Sequence, residues 1–150
     1  MQKAKILNSK EIKKILKDLE HFGFKGKLGY VFFKNKDGKL FILSKKFGEI
    51  DINKVRINNL GLYFGKQENS GIRLSIEGIQ IIKPSKNVIE LDENQLKQWV
   101  QGQDLEIESK AKGFVAIKHN NDFYGSGSYK QGKLLNYIPK SRRLTSKNLD

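Results

Sequence analysis

Pro139-Lys140-Ser141-Arg142-Arg143, near the end of this 150-residue chain, gathers three cations behind a proline. A guanidinium is planar, always charged, and presents its donors in a fork that matches two oxygens of one phosphate. Lys140, Arg142 and Arg143, placed just past a strand end, therefore suit a phosphodiester backbone, and Pro139 stiffens the approach. Lys130 and Lys133 flank a Gln131-Gly132 turn and add two more cations to the same third of the chain. This pattern points to RNA before it points to any covalent chemistry.

Residue types that would carry catalysis do not assemble. Cysteine is absent, which removes disulfides, thiolate metal sites and a thiol nucleophile. His21 and His119 have no carboxylate or second histidine at ligand spacing and read as surface residues. Asp51, Asp92 and Asp104 form no paired-acid pattern. Gly125-Ser-Gly127-Ser128 lacks the spacing and following helix of a phosphate-cradling loop and reads as a bend in a strand. No enzyme activity, cofactor or metal is expected. Among the aromatic residues, Trp99 reads as core, while one exposed ring of Tyr124, Tyr129 or Tyr137 can stack on a base.

Charge is the strongest compositional signal. The net charge is +13, and residues 1–66 hold 16 basic against 6 acidic side chains. Residues 67–109 reverse this with 4 against 8, and residues 110–150 return to 9 against 2. Basic ends around an acidic middle describe a polarised surface able to steer a polyanion, although a lysine-rich composition alone would give part of this excess. No apolar run approaches a membrane span and the start has no apolar signal core, so a cytoplasmic protein with no membrane partner is expected.

The elements that must position these cations follow from local signals. Asn8-Ser-Lys-Glu11 has capping-box form and opens a helix with Ile12, Ile15, Leu16 and Leu19 on one face, ended by Gly23. Lys10, Lys13, Lys14 and Lys17 lie on its other side, as a solvated face or as RNA contacts. Leu28–Phe33 and Leu40–Leu43 flank Asp37-Gly38 as a hairpin, and Val55–Phe64 reads as a further strand in which Gly61 and Gly65 allow close backbone approach. Ile72–Ile82 reads as strand passing into short helix. Pro84-Ser-Lys-Asn87 is the one plausible linker. Beyond it come a short strand at Val88–Leu91, a helix capped by Asp92 and Gln95 and stopped by Gly102, and a strand through Leu105 and Ile107. An apolar run at Phe114–Ile117, a glycine-punctuated strand at Phe123–Tyr129 and a last strand at Leu134–Ile138 complete a tightly wound antiparallel barrel.

Gly113-Phe-Val, Gly125-x-Gly127 and Leu135-Asn-Tyr-Ile-Pro-Lys140 with Arg142 and Arg143 resemble the end of a PUA domain, the small β-barrel RNA-binding module. The similarity is to the version attached to Nop/Sun-type RNA cytosine methyltransferases and to its stand-alone archaeal relatives. Asn59-Leu-Gly-Leu-Tyr-Phe-Gly65 and Ile72-Arg-Leu-Ser-Ile-Glu-Gly78 resemble the leading domain that precedes it there and in Nip-type ribosome-biogenesis proteins. The resemblance implies an α+β fold: an N-terminal mixed αβ (pre-PUA) domain over 1–84, then a PUA-type β-barrel over 85–150. It implies docking on structured rRNA or tRNA in RNA modification or ribosome biogenesis, with Gly102 in a loop that approaches RNA closely. Arg73, within the leading-domain motif, either meets phosphate or pairs with Glu68 or Glu77. Those methyltransferases use cysteines and a separate methyl-donor domain, so this polypeptide is not expected to transfer methyl groups. The competing expectation is an accessory subunit that docks on an RNA-modification enzyme or ribosomal protein.

Overall fold

Asn8 sets the first helix. Its side chain accepts from the Glu11 backbone N–H at 2.9 Å, while the Glu11 carboxylate accepts from the Asn8 N–H at 3.1 Å. Two donors otherwise orphaned at a helix start are thus satisfied reciprocally. The Asn8 hydrogen bond, helped by the Lys5 ammonium, holds the Glu11 carboxyl below its ordinary value. Helix α1 (Ser9–Leu19) runs into a 3-10 turn over Glu20–Phe22 that closes on Gly23 at φ 79°. The computed structural model describes residues 4–44 and 61–145.

Among the described residues five short strands form the first sheet in chain order: β1 (Lys5–Ile6), β2 (Tyr30–Lys34), β3 (Lys39–Ser44), β4 (Leu62–Glu68) and β5 (Gly71–Leu74). Each described neighbour pair is antiparallel. The part of the Val55–Phe64 expectation before Gly61 lies outside the described residues. Between β3 and β4 a bulge leaves Phe64 without a partner, because Phe41 faces Tyr63 and Leu40 faces Gly65. The extra residue goes inward, where its ring meets Phe32 edge to face at 5.4 Å. Gly65 permits the close approach expected of it: a Cβ there would stand 2.6 Å from the Arg73 carbonyl oxygen.

Helix α2 (Ile76–Ile82) is capped by Ser75, whose hydroxyl accepts from Gly78 N–H at 2.9 Å. Its Ile79 and Ile82 join Ile15, Leu19 and Phe22 from the N-terminal helical segment, and Phe32, Ile42, Phe64 and Leu74 from the sheet, in the first core.

The second sheet has the order β6-β8-β9-β10-β7, built from β6 (Val88–Glu90), β7 (Leu105–Glu106), β8 (Gly113–His119), β9 (Asp122–Lys130) and β10 (Lys133–Asn136). Helix α3 (Glu93–Val100) carries the chain from one edge of this sheet to the other, and β6 pairs with β8 in parallel. The expected barrel is realised as a curled half-barrel, with β6 and β7 at its two edges. Trp99 is fully buried, donates from Nε1 to the Tyr124 carbonyl at 2.8 Å and fits because Gly127 carries no Cβ, which would lie 2.9 Å from its ring.

Strand β8 belongs to both cores. Phe114 and Ala116 enter the first, while Val115 and Ile117 enter the second with Ile89, Leu91, Trp99 and Leu134. An uninterrupted apolar run is what a strand buried on both faces requires. Ser126 Oγ on β9 donates to the Leu74 carbonyl at 2.6 Å, and Gln80 Nε2 on α2 donates to the Phe123 carbonyl at 2.8 Å. The structure is therefore a mixed αβ arrangement of two sheets packed through a strand that serves both cores.

Pro84–Asn87, expected as a linker, is held along its length. Pro84 is buried, and the Ser85 and Lys86 N–H groups both donate to the Phe22 carbonyl, at 2.9 and 3.1 Å. Asn87 donates from Nδ2 to the His21 carbonyl at 2.7 Å and accepts at Oδ1 from Lys112 N–H at 3.1 Å. His21, expected at the surface, is half-buried and donates from Nε2 to the Phe114 carbonyl at 2.8 Å. His119 is likewise half-buried and donates from Nδ1 to the Leu91 carbonyl at 2.8 Å. Both histidines fasten strands whose carbonyls would otherwise lack these partners, which corrects their reading as surface residues.

Asn87 also sits at φ 55°. Asn87→Ala should lose the side-chain hydrogen bonds to His21 and Lys112 and keep the unfavourable backbone, costing about 2 kcal/mol. Asn87→Gly should be about 1 kcal/mol milder, because glycine accepts that backbone freely. Urea unfolding midpoints of the two variants measure the difference.

Candidate nucleic-acid interface

Asn136 organises the surface that carries the C-terminal cations. Its N–H donates to Asp104 Oδ1 at 2.8 Å, and its Nδ2 donates to the carbonyls of Trp99 and Gln103 at 2.7 and 3.0 Å. Its Oδ1 accepts from Ile138 N–H at 2.8 Å. One side chain thereby ties the loop after α3 to the segment that leaves β10. Sequence reasoning placed Asn136 in a motif and missed this role, because its partners lie more than 30 residues away.

Beyond Ile138 the chain makes a 3-10 turn over Lys140–Arg142, opened by Pro139 at φ −58°. Leu144 N–H then donates to the Val100 carbonyl at 2.8 Å, which pins the end of the described chain to the end of α3. Lys140 and Arg142 are exposed. Arg143 is half-buried: its Nε donates to the Ile138 carbonyl at 3.0 Å, and its stem lies against Gly102. A Cβ at Gly102 would stand 2.3 Å from Arg143 Cδ and Nε, so glycine is what lets the arginine cross the loop. Arg142 turns the other way and pairs with Glu77 on α2.

Arg73 lines the same cleft as Arg142. Its guanidinium carbon lies 4.6 Å from the Tyr137 ring centroid, a cation–π stack, and its nearest carboxylate is Glu68 at 4.0 Å. Of the two acids expected to neutralise Arg73, Glu68 stays beside it and Glu77 goes to Arg142. The cleft has a volume of about 330 Å³ and runs between the sheets, with Tyr63, Arg73 and Ser75 on one wall and Ser126, Tyr137 and Arg142 on the other. Half-burial of Tyr63 raises its phenol above the ordinary value, with the Arg73 charge acting in the opposite sense.

The seven candidate residues thus fall into three places. Gly102, Arg143 and Lys140 share the loop surface after α3, and Arg73 and Arg142 share the cleft. Lys130 and Lys133 face each other at the far end of the β9–β10 hairpin, with Lys133 also opposite Glu106. They are exposed but separated from the arginines by the length of β10. On α1, Lys10, Lys13, Lys14 and Lys17 are exposed, and Lys14 pairs with Asp18 at 2.9 Å. Among the described residues no three His, Cys, Asp or Glu side chains group to hold a metal, and no helix is long and apolar enough to cross a membrane.

Residues 86–144 match the family described as the methyltransferase RsmF PUA domain. The chain is 23% identical over 108 residues to ribosomal RNA small subunit methyltransferase F of Shewanella oneidensis, covering 70% of this chain and 23% of that protein. The proteins of the same name from Vibrio vulnificus and Vibrio cholerae are 24% and 26% identical over 59% of this chain, and it covers 19% and 20% of them. The chain spans only about a fifth of the length of these relatives. They are bacterial, whereas the sequence resemblance had included archaeal proteins. Residues 86–144 are thus similar to the PUA domain of these methyltransferases.

Gly102 sits at φ 92°, so Gly102→Ala both strains the backbone and expels Arg143 from its bed. It should cost about 1–2 kcal/mol. Because the two residues touch, the Gly102→Ala, Arg143→Ala double variant should be less destabilised than the sum of the single changes, which a double-mutant cycle in urea reads directly.

The raised Tyr63 phenol gives a pH dependence of fixed sign. Folding favours its neutral form, so its contribution is whole below the unfolded pKa near ~10 and is lost as pH rises through the folded pKa. Relative to Tyr63→Phe, the native chain should lose stability across that alkaline window and show no difference in slope near neutrality.

Proposed function

We propose that this protein binds structured RNA, with small-subunit rRNA as the first candidate, through the basic surface built by the PUA-type half, and that it serves rRNA modification. The match of residues 86–144 to the PUA domain of a methyltransferase supports this reading most directly, since that half carries Gly102, Lys140 and Arg143 on the loop surface after α3 and Arg142 at the neighbouring cleft. In this reading residues 1–84 act as the leading pre-PUA domain and residues 85–150 as the principal reader. Lys140 and Arg142 meet phosphates, Arg143 holds the loop after α3 in place while offering its free guanidinium nitrogens, and Lys130 and Lys133 extend the track.

In this reading these residues carry no methyl transfer themselves, since they hold no cysteine to act as nucleophile. It acts without a cofactor, in the cytoplasm, as an RNA-docking part, and a modification enzyme is the natural protein partner. Docking through phosphates is largely electrostatic, and the loop groups add selectivity.

Contact with about four to six phosphates implies a log–log salt slope of roughly −3 to −5 for binding to a small-subunit rRNA fragment. Arg142→Ala should weaken binding and make that slope shallower by about one, while costing little stability, because its exposed pair with Glu77 contributes at most about 1 kcal/mol. Arg143→Ala should lower both affinity and unfolding midpoint, owing to the Ile138 bond. Fluorescence anisotropy across salt, with thermal unfolding in parallel, measures both. Tight binding with a flat salt dependence would instead favour a protein partner.

A further inference from the structure

The cleft between the two sheets has features that phosphate docking does not use. Arg73 is not a free cation: its guanidinium carbon sits over the Tyr137 ring, 4.6 Å from the centroid, and Phe114 lies tilted beside that ring at 6.4 Å. A guanidinium held in place by a ring is a planar cation on which a base can stack. The cleft floor is already satisfied, since Ser75 Oγ donates to the Tyr63 carbonyl and Ser126 Oγ to the Leu74 carbonyl, each at 2.6 Å. Leu62 and Pro139 supply apolar edges. Mostly apolar walls with a few convergent polar groups describe a small-ligand pocket. Its ~330 Å³ sits at the low end of the roughly 300–1,000 Å³ typical of such sites, enough for one nucleotide and too small for a helix.

We propose that this cleft receives a single unstacked RNA base, laid on the Arg73 guanidinium that Tyr137 supports, with the adjoining phosphate held by Arg142 at the mouth. The inference rests on the RNA-binding reading above and adds to it the structural feature that is recognised, an unpaired nucleotide next to a helix. Guanidinium planes and aromatic rings are the groups on which proteins stack splayed bases. The Glu77 carboxylate, released when Arg142 turns to phosphate, becomes an acceptor for an exocyclic amine. A base bearing that amine is therefore favoured over uracil.

The test uses the full chain and three short RNA hairpins: one with a single unpaired adenosine in its stem, the same stem fully paired, and the same stem with an abasic nucleotide at the unpaired position. The adenosine hairpin should bind about 5- to 150-fold more tightly than the other two, the range set by one stacked base. Arg73→Lys keeps the charge and removes the plane, so it should abolish the preference for the adenosine hairpin over the paired and abasic stems. 2-Aminopurine at the unpaired position should change its fluorescence on binding the native chain and not on binding Arg73→Lys. If all three hairpins bind equally, the cleft proposal falls and general RNA docking stands. If none binds, both fall. The abasic comparison is made on the native chain, so it decides the matter even if the lysine variant does not fold.

Discussion

Strand β8 is the constraint on which the rest of the molecule depends. Phe114 and Ala116 fill one core and Val115 and Ile117 the other, so neither sheet completes its interior without it. Side chains alternate along a strand, and a slip of one residue would exchange the two sets. The His21–Phe114 hydrogen bond and the parallel pairing of Val88 with Ala116 fix the register from opposite sides.

The cleft follows from that joint. Because β8 and β9 are locked to α2 and β5, Arg73 of the first half and Tyr137 of the second come within stacking distance without any domain closure. The C-terminal turn is placed by the same framework, through Asn136 and the bond from Leu144 to Val100. The cations that look adjacent in sequence diverge in space. Arg142 crosses to the first half and Arg143 returns to the second, so two neighbouring arginines act on different surfaces.

Local chemistry made much of the fold legible. Both capping boxes, at Asn8/Glu11 and Asp92/Gln95, lie within four consecutive residues and were readable as such. The strand-to-helix passage at Ile72–Ile82 and the hairpin at Asp37-Gly38 were equally local. The partners of His21, Asn87, Asn136 and Arg142 were not readable, because each lies 25 to 93 residues away and composition says nothing of such pairings. Pro84–Asn87 has the composition of a linker, yet burial of Pro84 and two-sided hydrogen bonding make it part of the joint. For the candidate site, the arginine pair was visible from spacing, while the Arg73–Tyr137 stack needed the two halves in place.

The shared strand also bears on how the chain is made. Ribosomes release a polypeptide from its N-terminus, so α1 and the first sheet emerge well before Phe114 and Ala116. At ~5–20 residues per second, the interval between Leu74 and Ala116 lasts a few seconds. Throughout it, Phe32, Phe64 and Ile79 form one side of an interior whose other side has yet to leave the exit tunnel. The nascent first half must then wait as an unfinished, sticky intermediate, and holdase chaperones would meet it in that window.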